Sequence, residues 1–280
     1  MKIIDAHVHF SNIETFKNCA ENISQLDYSA RGYTEGTEKN EIAGSVCMGL
    51  IENAPSAFPD NNAKTPMLAN LAESLPPGMK ICAGINPHTL NDRAIGELAE
   101  LIVNKKIAGF KIYPGYYHFD VYDPVYDPVY GLAEKYDLPV AVHTGETYSE
   151  RGLLEYAHPL RVDRLAVRRP RLKIVVCHMG APWVFDACEV AGKNANVFID
   201  VSGLLVGSAE YIERLSANRL VVDRYSQPLV LMDNYKKVLF GTDWPLAPFH
   251  AYIEFIKKIV PREAYGDVFY NNAASAYNFS

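Results

Sequence analysis

The sequence predicts a (β/α)8 barrel that takes up residues 1–280 as one domain, and three observations predict it. Eight short apolar runs recur along the chain. Most are rich in Val and Ile, as strands buried on both faces of a parallel sheet are. Amphipathic stretches of helical length separate most of them. No Gly-rich turn follows the first run after Phe10, where a doubly wound dinucleotide-binding sheet would carry one.

The runs are 2–10 (KIIDAHVHF), 42–50, 80–86, 107–114, 138–145, 172–180, 196–203 and 237–245. Helices are predicted over 65–75, 91–105, 124–136, 159–169, 183–193, 209–217 and 249–260. Asn91 and Ser208 are suitable N-caps, and Pro159 suits a first helical turn. Residues 11–41 interrupt the rhythm after the first run. A helix and an excursion over the barrel mouth are expected there, a common place for substrate-gating segments. The ending VFYNNAASAYNF predicts a last helix that packs its aromatics outside the barrel.

Composition narrows the function classes. The 280 residues are 49% hydrophobic and 21% charged, which is ordinary for a globular chain with a large core. The net charge is −6, and the most basic stretch, RVDRLAVRRPRLK at 161–173, has helical spacing. Nucleic acid and anionic membranes are therefore poor partners. The five cysteines (Cys19, Cys47, Cys82, Cys177 and Cys188) form no CxxC pair and are odd in number, which predicts a reducing compartment without disulfides. No signal peptide precedes Asp5, and no apolar run is long enough to span a bilayer, so a cytoplasmic protein is expected.

The polar residues inside the apolar runs carry the functional argument. His7 and His9 are two apart on one strand and share a face, with Asp5 one layer deeper. His143 closes PVAVH, His178 closes KIVVCH, Asp243 closes VLFGTD, and Lys111 sits late in AGFKIY. All fall at or near the C-terminal ends of predicted strands, which in a barrel converge on the mouth where active sites are built. A single histidine is more often a hydrogen-bonded core residue than a ligand, and HxH alone is a weak signal. Four histidines, an aspartate and a lysine facing one cavity are hard to accommodate as plain core, because buried polar groups need partners. A divalent metal resolves this, since imidazoles and a carboxylate suit zinc and similar ions. His88, His118, His158 and His250 fall in loops or helix starts. Of these, His118 is set apart because it lies in YPGYYHF, on the loop after the fourth run. Tyr113, Tyr116, Tyr117 and His118 are candidates to line the mouth, Trp244 to form a wall, and Arg151 or Arg161 to meet a carboxylate. Surface packing is the plain alternative for the tyrosines and for Arg161.

The pieces IDAHVHF, GFKIYP, YDLPVAVHTGE, HPLRVDRLAVRRPRLKIVVCHMGAPWVFDA, NVFIDVSG, VLFGTDWP and NNAASAYNF, in that order, resemble the amidohydrolase superfamily, and within it the amidohydrolase-2 branch. That branch includes aminocarboxymuconate-semialdehyde and resorcylate-type decarboxylases. The match covers most of 1–10 and 107–280, and is poor over 11–80. The resemblance implies that His7, His9 and His143 are metal ligands. Asp243 would bind the metal and accept a proton from the attacking water. His178 would bind a second metal, or contact water or substrate as an acid/base. It leaves the metal count open: one zinc beside a free Lys111, whose ammonium suits an anionic substrate group, or a pair bridged by carbamylated Lys111. Manganese or another divalent ion is the alternative to zinc. The reaction implied is hydrolysis of an amide, lactone or ester-like bond of a small molecule. The alternatives are non-oxidative decarboxylation of an unsaturated or aromatic acid, and a barrel that binds metal without catalysis. Homodimers are common in that branch.

Overall fold

The computed structural model describes residues 1–10, 14–51, 66–67 and 75–279. Eight parallel strands form one sheet: β1 (Ile3–Val8), β2 (Ile42–Met48), β3 (Met79–Gly84), β4 (Gly109–Ile112), β5 (Pro139–Val142), β6 (Lys173–Val176), β7 (Val197–Asp200) and β8 (Val238–Leu239). They pair in sequence order from β1 to β8. The chain beyond β8 then closes the circle against β1. Ala6 N–H donates to the Phe240 carbonyl (2.8 Å), Asp243 N–H to that of His7 (2.8 Å) and His9 N–H to that of Trp244 (2.6 Å). This is the (β/α)8 barrel that the apolar runs predict.

The helices are α1 (Glu14–Cys19), α2 (Ala30–Lys39), α3 (Asp92–Val103), α4 (Asp127–Tyr136), α5 (Leu160–Arg168), α6 (Val184–Lys193), α7 (Ala209–Ser216), α8 (Arg219–Met232), α9 (Phe249–Ile259) and α10 (Asn272–Ala276). Asn91 and Ser208 cap α3 and α7 as expected, each side chain accepting from a backbone N–H three residues on. The short strands Leu50–Ile51 and Pro66–Met67 pair antiparallel. Residues 66–67 were expected to be helical; the rest of the predicted helix 65–75, apart from Leu75, lies outside the described residues. Helix α8 has no counterpart in the sequence reading, because Pro228 inside it breaks the pattern by which helices are recognised.

Alternation sorts the strand side chains. Phe110, Ile112, Val140, Val142, Ile174, Val176, Val197 and Ile199 belong to the larger buried cluster, together with the apolar faces of the helices. Cys82, Ala141, Val175, Cys177 and Leu239 form a second cluster with Ala273, Ala276 and Tyr277. The C-terminal segment is thus not wholly outside the barrel, as expected from its aromatics. Phe269 does pack on Phe240 among the helices (ring centroids 4.9 Å), but Tyr277 is fully buried in the second cluster. Lys80, the second residue of β3, donates to the carbonyls of Tyr277 (2.9 Å) and Asn278 (2.6 Å). The tail therefore plugs the N-terminal end of the barrel and leaves the C-terminal end open.

Candidate active site and metal centre

At the C-terminal end of the strands lies a cavity of about 560 Å³. His9, Lys111, Tyr113, His143, His178 and Asp243 line it: His9 just past β1, Lys111 in β4 and Tyr113 directly after it, His143 just past β5, and His178 and Asp243 in irregular backbone beyond β6 and β8. Thr15, Phe16, Cys19 and Ile23 cover one side, so the segment after β1 does reach over the mouth. Tyr116, Leu204, Val206, Tyr225 and Leu246 add apolar walls, and Glu146 and Arg224 stand at the edge.

Asp243 is the hub. Its Oδ1 lies 3.0 Å from His9 Nε2 and 3.4 Å from His7 Nε2, and its Oδ2 lies 3.8 Å from His178 Nδ1. Burial would raise its pKa, but its electrostatic interactions with the neighbouring His178, His7 and His9 rings outweigh this and hold the carboxyl below the usual carboxylate range. Its backbone, like that of His178 and Met179, is left-handed (φ 64°, 58° and 48°), a conformation that costs a residue with a Cβ about 1–2 kcal/mol. Strain of this kind tends to mark functional sites. Gly203, also left-handed (φ 63°), lets this corner close up. A Cβ there would stand 2.8 Å from Asp243 Oδ2 and 3.0 Å from His178 Nδ1.

Behind His7 is a second carboxylate. Asp200 Oδ2 accepts from His7 Nδ1 (2.9 Å), and Oδ1 accepts from His178 N–H (2.9 Å), Ser202 N–H (3.1 Å) and Ser202 Oγ–H (2.5 Å). Burial opposes the charge on Asp200, yet His7, His178 and Lys111 hold it well below its ordinary value. An ionised carboxylate only accepts, so the proton of a neutral His7 ring sits on Nδ1 and its Nε2 is a bare lone pair.

That arrangement tests the fit of a metal. His7 Nε2 and Asp243 Oδ1 are both buried, both without a hydrogen-bond partner, and face each other as two acceptors. His9 Nε2 closes on the same oxygen, and burial lowers the pKa of His9. The lone pairs of His7 Nε2 and Asp243 Oδ1, with no proton between them, repel, and a cation between them removes the repulsion. Ligand atoms of His7, His178 and Asp243 lie within 4.8 Å of one another. The donor set of imidazoles and one carboxylate suits zinc or manganese. His143 stands in the same wall, its ring centroid 5.1 Å from that of His178. Its Nε2 lies 3.1 Å from the Glu146 carbonyl, so that nitrogen carries the proton and Nδ1 is left free to ligate. Burial holds it neutral, with its pKa well below the ordinary value.

Other expected residues fall elsewhere. Trp244 does not line the cavity. Its indole is buried between Phe10, Tyr28, Tyr33 and Phe249, stacked on the last at 6.0 Å. The residue that turns the chain out of β8 is bulky and apolar, and burying it fixes that turn. His118 also stays outside. It sits 3.0 Å from the Arg151 carbonyl and stacks near Tyr156. Arg161 is an ion-pair partner of Asp120 and donates to the Tyr122 hydroxyl, and neither it nor Arg151 reaches the cavity. Tyr113 does line it and donates its hydroxyl to the Gly49 carbonyl. Lys111 is fully buried and points its ammonium at Cys177 Sγ (2.9 Å). Asp5 lies deeper, as its register requires. It accepts from Thr242 Oγ1 (2.6 Å) and two backbone N–H groups, and burial raises its pKa to about 7. Asp200, Ser202, Gly203 and Arg224 were missed by the sequence reading. Asp200 had a usable signal: it ends the run VFID just as His143 and His178 end theirs.

No curated protein sequence matches the chain. Among solved structures it is similar to a probable 2-pyrone-4,6-dicarboxylic acid hydrolase from Acinetobacter baumannii (18% identity, TM-score 0.66, 100% of both chains). It is similar also to a 2,6-dihydroxybenzoate decarboxylase from Rhizobium (18%, TM-score 0.67, 99% of both). A third is a 5-carboxyvanillate decarboxylase from Novosphingobium aromaticivorans complexed with manganese (13%, TM-score 0.67, 99% of this chain and 96% of that one). At these identities the likeness is one of fold. The sequence profile described as amidohydrolase matches residues 4–279, nearly the whole chain. With the barrel and the histidine–aspartate cluster at its mouth, that match makes this chain a member of the amidohydrolase family of enzymes.

Proposed function

We propose that this protein is a metal-dependent hydrolase that cleaves an amide, lactone or ester-like bond of a small molecule, with one zinc ion held by His7, His9, His143 and Asp243. The observation that carries the reading is the pair of partnerless acceptors, His7 Nε2 and Asp243 Oδ1, facing each other at the barrel mouth. A divalent ion bound there supplies Lewis acidity, polarising a carbonyl and lowering the pKa of water towards roughly 7.

The chain's own residues do the rest. Asp200 keeps the His7 proton on Nδ1 and so keeps Nε2 available. Asp243 takes the proton of the attacking water on Oδ2, the oxygen nearer His178, and returns it to the leaving group. Phe16, Tyr116 and Tyr225 exclude solvent and favour a flat, apolar substrate body. The Lys111 ammonium, 2.9 Å from Cys177 Sγ, is placed to attract an anionic group of the substrate.

A second reading is decarboxylation of an aromatic or unsaturated acid on the same residues. Two of the similar solved structures are named as decarboxylases, and the aromatic walls and buried Lys111 would suit such an acid. Manganese is then a candidate ion beside zinc.

The test is a substrate panel run on metal-loaded protein. Lactones, aryl amides and hydroxybenzoates are supplied, with acid release and carbon dioxide release both recorded. Turnover of lactones or amides, lost on chelation and restored by zinc or manganese, is expected. Carbon dioxide release alone would replace the first reading by the second. Full activity in rigorously metal-free protein would overturn both.

A further inference from the structure

Ser202 touches both inner histidines. Its Oγ lies 3.0 Å from His178 Nδ1, 3.1 Å from His7 Nδ1 and 2.5 Å from Asp200 Oδ1. A hydroxyl has one proton. Asp200 cannot supply one and lies nearest, so the Ser202 proton points at Asp200. The oxygen is then an acceptor towards the rings, and the Ser202 carbonyl, 3.3 Å from His178 Nδ1, is an acceptor too. His178 Nδ1 therefore faces acceptors at Ser202 Oγ, the Ser202 carbonyl and, at 3.8 Å, Asp243 Oδ2. A bare Nδ1 would confront three lone-pair centres. A protonated one satisfies them.

We infer that Ser202 fixes His178 in the tautomer that carries its proton on Nδ1, so that its Nε2 meets the bound molecule as a hydrogen-bond and proton acceptor. His178 lines the cavity, and its Nε2 makes no hydrogen bond among the described residues. In the neutral ring a proton on Nδ1 leaves Nε2 as a lone pair and not a second N–H. This deepens the reading of the site given above and rests on it. A neutral His178 held this way does not stabilise an oxyanion, which needs a donor. It selects a substrate that presents an O–H or N–H group. If it takes that proton, the substrate O–H or N–H bond breaks, an Nε2–H bond forms, and Asp200 and Asp243 balance the imidazolium charge. Ser202 acts through His178 and is a positioning residue.

The experiment is nitrogen-15 NMR of the histidine side chains, in protein loaded with zinc and again after the metal is stripped. The His178 signals are assigned by loss in His178→Gln. The parent is expected to show His178 with a protonated Nδ1 and an unprotonated Nε2 in both states. Ser202→Ala should give a mixture of tautomers, and Ser202→Thr should restore the parent pattern. Ser202→Cys, a weaker acceptor of nearly the same size, replaces the alanine variant if that does not fold. A parent with the proton on Nε2, or an unchanged tautomer in the alanine or cysteine variant, overturns the inference. Metal content is measured on the same samples. Failure to bind zinc would count against the proposed hydrolase, whereas the stripped-state spectrum tests Ser202 alone.

Discussion

Asp243 and Asp200 are both buried carboxylates held ionised, yet they do different things because different atoms surround them. Every oxygen of Asp200 has a hydrogen-bond donor, whereas Asp243 Oδ1 has none. Asp243→Asn is therefore expected to abolish turnover and metal retention while leaving the circular dichroism spectrum unchanged; retained activity would contradict its role. Asp200→Asn leaves the ligands in place but loosens the His7 ring, and should lower metal affinity roughly 10–100-fold, read by competition with a chelating dye. Gly203→Ala places a methyl against Asp243 and His178 on a left-handed backbone. A loss of about 1–2 kcal/mol in urea unfolding, together with weaker metal binding, is expected. A variant as stable as the parent that binds metal equally well would show that this corner has slack. The ligand candidates were legible in the sequence because each one interrupts an apolar run at its C-terminal end. Asp200 interrupts a run in the same way, and Ser202 lies beyond it. Their roles are visible only when β7 is placed beside β1 across the barrel, a contact between residues 193 positions apart.

At the scale of elements, the turn after β7 is held from outside. The Tyr252 hydroxyl, on α9, donates to the Val201 carbonyl (2.6 Å) and accepts from Leu204 N–H (2.8 Å), bracketing Ser202 and Gly203. Tyr252→Phe leaves a buried carbonyl and a buried N–H unpaired. It should destabilise the protein by about 1–3 kcal/mol in denaturant titration; a change within error would mean that the turn holds itself. The Tyr225 hydroxyl, on α8, donates to the Leu204 carbonyl (3.0 Å), so the helix that the sequence reading lacked also supports the site. Regular elements were legible where periodicity and caps agreed, as in α3 and α7. The departures have physical reasons. Pro228 hides α8, and strand pairing overrides helical patterning at Pro66–Met67. Beyond β8 the chain leaves regular pairing before it reaches Asp243, so that residue is not on a strand at all.

At the scale of the molecule, the barrel is closed at one end and reactive at the other. Tyr277, fully buried among the lower strand residues, is part of the seal. Tyr277→Ala should cost about 3–5 kcal/mol by cavity creation, with a lower Tm but an intact metal site. A stability loss below about 1 kcal/mol would mean that the tail is dispensable. The eight-strand pattern was legible because both-sided burial leaves continuous apolar runs. The plug was not, since an aromatic-rich tail reads the same whether it packs outside the barrel or under it. All five cysteines are free and buried. No helix among the described residues is long and apolar enough to cross a membrane.

The central claim is tested most directly by anomalous diffraction from a crystal of the protein grown with zinc, recorded on both sides of the zinc absorption edge. The account predicts one strong peak at the barrel mouth, with His7 Nε2, His9 Nε2 and an Asp243 oxygen within about 2.0–2.2 Å of it. No peak there, with His7 Nε2 carrying a proton and hydrogen-bonded straight to Asp243, would contradict it.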